Sequence, residues 1–482
     1  MVFSSYVFIF VFLPLVLLGF YLLPRLISSG GRLRTAQNLL LIAASLVFYG
    51  YYNVYYLFII IASILVNYAL ALAMQRFDLS RPALSKAFFI LGILFNIFFI
   101  GYFKYYDFFI ENINFIFRSS FALKHLLLPL GISFFTFQQL SFLVSVYKKD
   151  EKVEGFISYC IFVLFFPQLV AGPIVLYSEM IPQFNDESRS RFNADNMSAG
   201  VYMFCIGLFK KAVIADTLAL FVDNGFAQNS LGLAAAWAAS LSYSLQIYFD
   251  FSGYSDMAIG LGRMFNIDIP YNFLSPYKSE SFSELWRRWH ITLGRALSTY
   301  IYIPLGGSRK GRARTFVNTF LTFFVSGLWH GAAWTFVLWG CIHGLFVALE
   351  KSFPQLLSAI PRWLRIACTF ILVNALWVLF RAESFQQAAM VYSGMLSFTN
   401  LDLSQIAALV LDNSFDFPTS VDIAYLFALL GVLLYVVFRC KNSREKLESF
   451  SCTGKSLAFT VFLFCFSVLH LSRESIFIYF NF

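Results

Sequence analysis

The chain has 482 residues, of which 59% are hydrophobic and only 13% are charged, and its formal net charge is +9. A soluble protein normally carries about 25% charged residues, so the composition excludes a soluble globular domain and predicts a multi-pass membrane protein. The basic excess is typical of cytoplasmic loops, with clusters at 25–34 and 76–86. We expect membrane lipids as partners and no nucleic acid.

The N-terminal segment is predicted to be a retained span. Met1 to Val11 contains neither Lys nor Arg, so the basic region of a cleavable signal is missing, and Tyr6–Leu23 is the first apolar segment. A span needs about 20 apolar residues, and by this measure the chain has about 11 spanning or re-entrant segments. Clear ones lie at 6–23, 37–52, 54–74, 87–103, 126–146, 232–249, 316–330, 333–350, 364–380, 422–438 and 456–471.

Three segments in the middle of the chain are interrupted or charged. Pro167 interrupts 156–176, Lys210 and Lys211 lie within 200–222, and 283–305 mixes arginines with aromatic residues. Broken or charged backbone at membrane depth is tolerated only where it lines a cavity or packs within protein. We therefore predict an all-α, polytopic membrane protein whose middle third builds an internal site.

The domain prediction is a single membrane domain over 1–482. Residues 1–125 form N-terminal scaffold spans, 126–350 form the core that carries the site, and 351–482 form the C-terminal spans. Within the last region, 384–396 has apolar residues at helical spacing but is too short to span, which predicts an interfacial helix. The polar stretch 398–420 predicts an extracytoplasmic loop.

Two histidines flanked by tryptophan are the strongest candidates for chemistry. His330 follows Trp329 and is surrounded by small residues, which leave room for a substrate or for close helix packing. It is a candidate general base that takes a proton from an acceptor hydroxyl during acyl transfer; the alternative is a hydrogen-bonded core histidine. His290 is a candidate second catalytic residue, and the alternative is an interfacial anchor built from its Trp and Arg neighbours.

Further polar residues are candidates for substrate or donor binding. Asp250 and Asp256 follow an apolar run, which predicts a broken helix lining the cavity. The glycine-rich basic loop 305–314 lacks the Lys-Ser/Thr of a P-loop; it is either a positive-inside loop or a site for a phosphate-bearing donor such as coenzyme A. The binding candidates are Trp286, Arg287, Arg288, Trp329, Asp250, Asp256, Arg309 and Lys310. The histidine spacing favours no metal site.

Taken in order, these segments resemble the membrane-bound O-acyltransferase superfamily, in its bacterial alginate O-acetylation branch. The motifs that carry the resemblance are Gly131–Gln139, Phe166–Ile174, Gly207–Lys211, Phe249–Ala258, Trp286–Thr292, Tyr302–Gly307, Leu328–Trp334, Phe380–Ala382 and Phe477–Phe482. The family has Leu-Arg-Asp-Tyr where this chain has Leu297-Ser298-Thr299-Tyr300, so an Arg and an Asp are missing.

The resemblance implies that His330 is the catalytic histidine and His290 the second family histidine. It also implies helices ringed around a central tunnel, with an acyl donor entering from the cytoplasm and an acceptor reached on the far side. The expected function is transfer of an acetyl group from acetyl-CoA, as donor substrate with no bound cofactor, to an exported polysaccharide. This would occur in the bacterial inner membrane, directly or through a periplasmic acetyltransferase partner.

Two alternatives of other classes remain open from the sequence. The interrupted segments with Lys210, Asp250 and Asp256 also fit the ion-coupled site of a secondary transporter. The chain could equally be a non-catalytic scaffold of a polysaccharide-secretion complex.

Overall fold

A computed structural model of the chain describes residues 1–28, 30–353, 355, 360–398, 404–410, 419–471 and 477–478. Helices dominate these residues, and no β-strand occurs among them. Each of the eleven predicted segments contains a helix. The described part includes 5 helices long and apolar enough to cross a membrane, together with two shorter apolar ones. The all-α membrane class is confirmed; the number of about 11 crossings, the ring around a tunnel and the single-domain division stay predictions.

The first of two compact units comprises Met1–Cys205, Tyr254–Pro270 and Cys452–Thr460. Proline sets some of its helix boundaries, because Pro82 stands at the first position of one helix and Pro167 near the start of a four-residue helix. The predicted interruption of 156–176 is therefore observed. The helices of this part of the chain are Leu13–Leu26, Gly30–Gly50, Tyr55–Phe77, Pro82–Phe117, Ile132–Tyr147, Phe156–Leu164, Phe166–Leu169, Tyr177–Asn185 and Ala194–Phe209.

Two buried amides join neighbouring spans of the first unit. Asn67 lies on the helix Tyr55–Phe77 and Asn96 on Pro82–Phe117, and neither side chain is exposed. Asn96 Nδ2 donates to Asn67 Oδ1 at 2.6 Å, and Asn67 Nδ2 donates back to Asn96 Oδ1 at 3.4 Å. A polar pair of this kind specifies the rotation of two otherwise apolar helices, since any other orientation leaves an amide in hydrocarbon.

Close backbone contact determines another part of the first unit. Gly131 has φ +70° at the start of the helix Ile132–Tyr147, a conformation that side chains rarely adopt. A Cβ atom there would lie 2.8 Å from the carbonyl oxygen of Val170. Only glycine therefore allows this helix to begin against the broken segment.

The second unit comprises Ile206–Gly253, Tyr271–Ser451 and Val461–Phe482. It begins in the last turn of the helix Ala194–Phe209, which is followed by the π-helical turn Lys210–Ala215, where two lysines interrupted the apolar pattern. The other helices are Asp216–Phe226, Leu233–Met264, Phe282–Arg288, Ile291–Leu297, Gly311–His330, Trp334–Ser352, Arg362–Arg381, Phe385–Met395, Ser404–Val410, Thr419–Arg439, Ser443–Glu448 and Gly454–His470, of which Leu233–Met264 and Gly454–His470 contribute residues to both units.

The helices Gly311–His330 and Trp334–Ser352 pack tightly against each other through small residues. A Cβ atom on Gly327 would lie 2.5 Å from the carbonyl oxygen of Phe336, and the phenyl ring of Phe336 fills the space beside Gly331. The small residues around His330 thus serve close packing. They do not leave an open space at these two positions.

One prediction about local structure is wrong. Residues 250–256 do not form a broken helix, because Leu233–Met264 is continuous through them. Gly253 instead allows close packing, since a Cβ atom there would lie 2.8 Å from the carbonyl oxygen of Gly207. The predicted extracytoplasmic loop 398–420 contains the short helix Ser404–Val410, and 399–403 and 411–418 lie outside the described residues, so its position stays a prediction. The terminal motif is described only at Phe477 and Ile478.

The predicted helix at 384–396 is confirmed as Phe385–Met395. The hydroxyl of Ser384 accepts a hydrogen bond from the backbone N–H of Gln387 and caps its start. Its position at a membrane interface stays a prediction.

The amide pair generates a stability prediction. Replacing Asn96 with Leu removes the donor to Asn67 and should lower the free energy of unfolding by about 1 to 2 kcal/mol. The double variant Asn67→Leu, Asn96→Leu should recover part of this loss, because no amide then remains without its partner. Thermal unfolding of the purified protein in detergent measures both changes. Leu94→Ala, on the exposed side of the same helix, serves as control; an equal loss in this control would contradict the prediction.

Candidate active site

His290 lies at a sharp junction between two short helices. Phe282–Arg288 ends before it, Ile291–Leu297 begins after it, and His290 itself has φ +44°, in the left-handed region. The following residues are held by Asn272, whose carbonyl oxygen accepts from Ile291 N at 3.1 Å and whose Oδ1 accepts from Thr292 Oγ1 at 2.7 Å. A strained backbone conformation held by such bonds is frequent at functional sites.

A layer of aromatic rings encloses His290 and His330, which are both almost fully buried. The ring centroid of Trp329 lies 5.9 Å from that of His290 and 5.0 Å from that of His330. Phe251 packs edge-on against His290 at 4.7 Å. His330 also contacts the rings of Trp339 and Phe380, at 5.1 and 5.2 Å. One indole thus contacts both imidazoles.

A cavity of about 640 Å³ opens onto His290. Its wall includes three of the predicted site residues, Trp286, Arg287 and His290. His330 and Trp329 are not part of the wall. Ser326, one helical turn before His330 on the helix Gly311–His330, does line it, so the cavity reaches the helix face that carries His330.

Ser283, Trp286 and Arg287 of the helix Phe282–Arg288 line the cavity, whereas Arg288 contacts other parts of the protein. The Trp286 indole N–H donates to Nδ1 of His343 at 3.2 Å, so this nitrogen of His343 carries no proton. Arg288 pairs with Glu284 at 2.7 Å and donates to the carbonyl oxygen of Leu274. The Glu284 carboxylate also accepts hydrogen bonds from the backbone N–H of Glu280 at 2.8 Å and from Arg288 Nε at 3.0 Å. Arg288 therefore binds groups of the protein itself, whereas Arg287 lines the cavity.

The two predicted carboxylates do not line this cavity. Asp250 is buried and forms an ion pair with Lys211 at 2.8 Å, and Lys211 also pairs with Asp216 at 2.7 Å. Asp250 Oδ2 further accepts from the backbone N–H of Ile478. Asp256 is buried within the first unit, where it stands on the helix Leu233–Met264.

The basic loop lies outside the cavity wall. Arg309 and Lys310 are exposed, and the chain there turns through Gly306, Gly307 and Gly311, all with positive φ. Tyr302, just before the loop, does line the cavity, and Lys351 Nζ lies 4.7 Å from its ring centroid.

Several cavity residues were not predicted from the sequence. Arg295 and Lys351 add two positive charges to that of Arg287. Thr319, Thr322 and Ser326 are spaced three and four residues apart on one helix, and His330 follows at the next step of this pattern. A polar stripe on an otherwise apolar helix is a helical-period signal that could have revealed this face. Ser298, at the position where the resemblance implies Arg, also lines the cavity.

The residue chemistry of the cavity fits a large anionic ligand better than a metal ion. Among the described residues, no group of three or more His, Cys, Asp and Glu side chains is arranged to hold a metal. The cavity wall carries three basic side chains and no carboxylate. Arg and Lys in this arrangement suit phosphate or carboxylate groups.

Comparison with known proteins assigns the family. The sequence profile of the membrane-bound O-acyltransferase family matches residues 113–395. A peptidoglycan O-acetyltransferase of Helicobacter pylori is 39% identical, over 100% of this chain and 98% of its own length. A probable alginate O-acetylase of Pseudomonas putida is 42% identical, over 84% of this chain and 82% of its own length. A teichoic acid D-alanyltransferase of Bacillus subtilis is 25% identical over 47% of this chain and 60% of its own.

The fold and the cavity define a helical membrane protein with buried imidazoles beside a basic pocket. The chain belongs to the membrane-bound O-acyltransferase family. It is an enzyme, an O-acyltransferase. The family resemblance found in its motifs is thereby confirmed, whereas the roles of the individual site residues remain predictions.

The buried ion cluster generates a second stability prediction. Lys211→Ala would leave the carboxylates of Asp216 and Asp250 buried without their shared cation, and should cost about 3 to 5 kcal/mol of stability. Arg444→Gln, which breaks the exposed pair with Glu448, should change stability by at most about 0.5 kcal/mol. Thermal unfolding in detergent compares the two variants. Equal unfolding temperatures for both would show that the buried cluster does not stabilise the fold.

Proposed function

We propose that this enzyme transfers an acetyl group from acetyl-CoA to hydroxyl groups of a cell-envelope polysaccharide. The donor binds in the cavity that His290 lines, and His330 acts as the general base. The enzyme resides in the bacterial inner membrane. The observation that carries this proposal is the cavity itself, which combines a buried imidazole with three basic side chains.

The charges of the cavity support an anionic thioester donor. Arg287, Arg295 and Lys351 supply the positive groups that the phosphates of coenzyme A require. A volume of about 640 Å³ lies within the usual range of small-molecule sites, roughly 300 to 1,000 Å³. The acetyl end of the donor would point toward Ser326 and the helix face that leads to His330.

The reaction requires a base beside the acceptor hydroxyl. His330 accepts the hydroxyl proton as the alkoxide oxygen attacks the thioester carbonyl and a tetrahedral intermediate forms. The C–S bond then breaks, the coenzyme A thiolate leaves and is protonated from the imidazolium, and the new ester remains on the sugar. His290 positions the thioester beside the Trp329 indole, which contacts both imidazoles.

The acceptor class is supported by the relatives. The relative that matches the whole chain is named for peptidoglycan, and others are named for alginate. These polymers share sugar hydroxyls outside the cytoplasm, which fits a donor bound on one side of the membrane and an acceptor on the other. Peptidoglycan is the first polymer to examine, because the match to the relative named for peptidoglycan covers 98% of that relative's length.

The acetyl group reaches the polymer directly or through a periplasmic acetyltransferase partner. Direct transfer requires the sugar hydroxyl within hydrogen-bond reach of His330. Purified enzyme in proteoliposomes distinguishes the routes: acetylation of added polymer without another protein indicates direct transfer, and a requirement for a second protein indicates relay.

The histidine roles are tested in cells. We expect ester-linked acetate on the envelope polymers to be lost in a null strain and in His330→Ala, and to fall by roughly a hundredfold or more in His290→Ala. His125→Ala, which changes an exposed histidine in the first unit, should retain acetate. Acetate is released by mild base from peptidoglycan and exopolysaccharide fractions, at matched membrane expression. Wild-type acetate in His330→Ala would remove this residue from the mechanism.

The donor site is tested by charge removal. Arg287→Gln and Arg295→Gln should each raise the KM for acetyl-CoA by about tenfold, because a hydrogen bond to a charged group contributes about 1.5 to 3 kcal/mol. The variant Arg309→Gln, Lys310→Gln changes two exposed cations outside the cavity wall and should leave KM unchanged. Initial rates in proteoliposomes against donor concentration give these values. A raised KM in the loop variant alone would move the donor site to the loop.

A further inference from the structure

The short helix Phe282–Arg288, which forms part of the cavity wall, is attached at its start to the helix Trp334–Ser352. The carboxylate of Glu350 accepts from the backbone N–H of Phe282 at 2.7 Å and from that of Ser283 at 2.8 Å. Both N–H groups belong to the first turn of the short helix, where the helix itself supplies no acceptor. The start of this part of the wall is therefore bound to the longer helix.

A second contact joins the same two helices at His343. This residue precedes Glu350 by seven positions, about two helical turns, so the two side chains lie on one face of the longer helix. His343 Nδ1 accepts from the indole N–H of Trp286 at 3.2 Å, and the two rings meet edge to face with their centroids 5.1 Å apart. The longer helix thus binds the backbone of the short helix and also one of its side chains.

The Trp286 indole lines the cavity and also contacts the aromatic layer. Its ring centroid lies 5.3 Å from that of Phe323, another residue of the cavity wall, and 5.5 Å from that of Trp339. Trp339 in turn contacts the imidazole of His330 at 5.1 Å. The orientation of Trp286 therefore affects both the shape of the wall and the packing beside His330.

The bond to Nδ1 distinguishes His343 from a residue that only fills space. His343 is fully buried, and a leucine at this position would fill much of the same volume without accepting a hydrogen bond. The indole of Trp286 would then lose its acceptor and could rotate about its two side-chain torsions. A wall that is already ordered loses less conformational entropy when a ligand binds, so the bond favours ligand binding.

We propose that His343 is a positioning residue of the donor cavity, which holds the Trp286 indole in the orientation that binds the donor. The role rests on the proposed donor site and adds to it a residue from behind the wall. His343 is not one of the described residues of the cavity wall. It therefore acts through Trp286 and exchanges no proton with the substrate.

The test measures the binding of coenzyme A to the full-length protein in detergent by isothermal titration calorimetry. His343→Leu removes the acceptor, His343→Asn keeps an acceptor oxygen at the same number of bonds from Cα as Nδ1, and Trp286→Phe removes the donor. The double variant His343→Leu, Trp286→Phe completes a double-mutant cycle. Leu345→Ala changes an exposed residue of the same helix and serves as control. Thermal unfolding establishes that each variant is folded at the titration temperature.

We expect His343→Leu to raise the Kd for coenzyme A by about fivefold, the effect of one lost hydrogen bond. At saturating acetyl-CoA, kcat should change by less than about twofold, because a binding interaction is lost and the reacting groups are retained. His343→Asn should bind almost as the wild type does. In the Trp286→Phe background, His343→Leu should have no further effect, because the bond is already absent. The control should retain wild-type affinity.

An equal loss of affinity from His343→Leu in both backgrounds would overturn the proposal, because the effect would not depend on the Trp286 N–H. Wild-type affinity in His343→Leu would also overturn it and would leave the donor site in place. Absence of coenzyme A binding to the wild type would contradict the donor site and overturn the positioning role with it.

A pair of milder variants gives the same test if His343→Leu does not fold. Trp286→Phe should then bind coenzyme A about fivefold more weakly, whereas His343→Asn should bind almost as the wild type does. Any other combination of affinities in these two variants would overturn the proposal.

Discussion

The indole of Trp329 contacts the imidazoles of both His290 and His330, and the geometry of the candidate site depends on these contacts. Each histidine belongs to a different structural element, one a junction of short helices and the other the last turn of a long helix. Aromatic rings have few rotatable bonds and large contact areas, so a layer of them positions its neighbours without charged groups.

The cavity and the aromatic layer have different roles in the candidate site. Charged side chains stand on the cavity wall, where an anionic ligand and water reach them, whereas the imidazole of His330 is enclosed by Trp329, Trp339 and Phe380. Acyl transfer needs a donor-binding surface that the donor can reach from water. It also needs a proton-transfer group shielded from water, because water would otherwise compete for the thioester. Ser298 lies on this wall at the position of a family arginine, so the charge of the wall differs there from the family pattern.

Much of the fold could be predicted from the sequence, because apolar segments of span length and interrupting Pro or Lys residues are strong local signals. Pro167 and the lysines 210 and 211 mark breaks that the structure contains. Asp250 was placed in the cavity wrongly, since a carboxylate beside Gly and Ser has the same local pattern whether it binds a ligand or a distant lysine. Arg295 and Lys351 could not be assigned to the cavity, because they come together only through the packing of separate helices.

The left-handed conformation of His290 has a consequence for how this position tolerates change. β-Branched residues are strongly disfavoured at positive φ, whereas Asn accepts it more readily than most. The backbone conformation and the chemistry of the side chain therefore limit different sets of substitutions at this position. An Asn at this position keeps the turn between the two short helices while removing the imidazole, so a saturation library would separate the architectural demand of residue 290 from its chemical one.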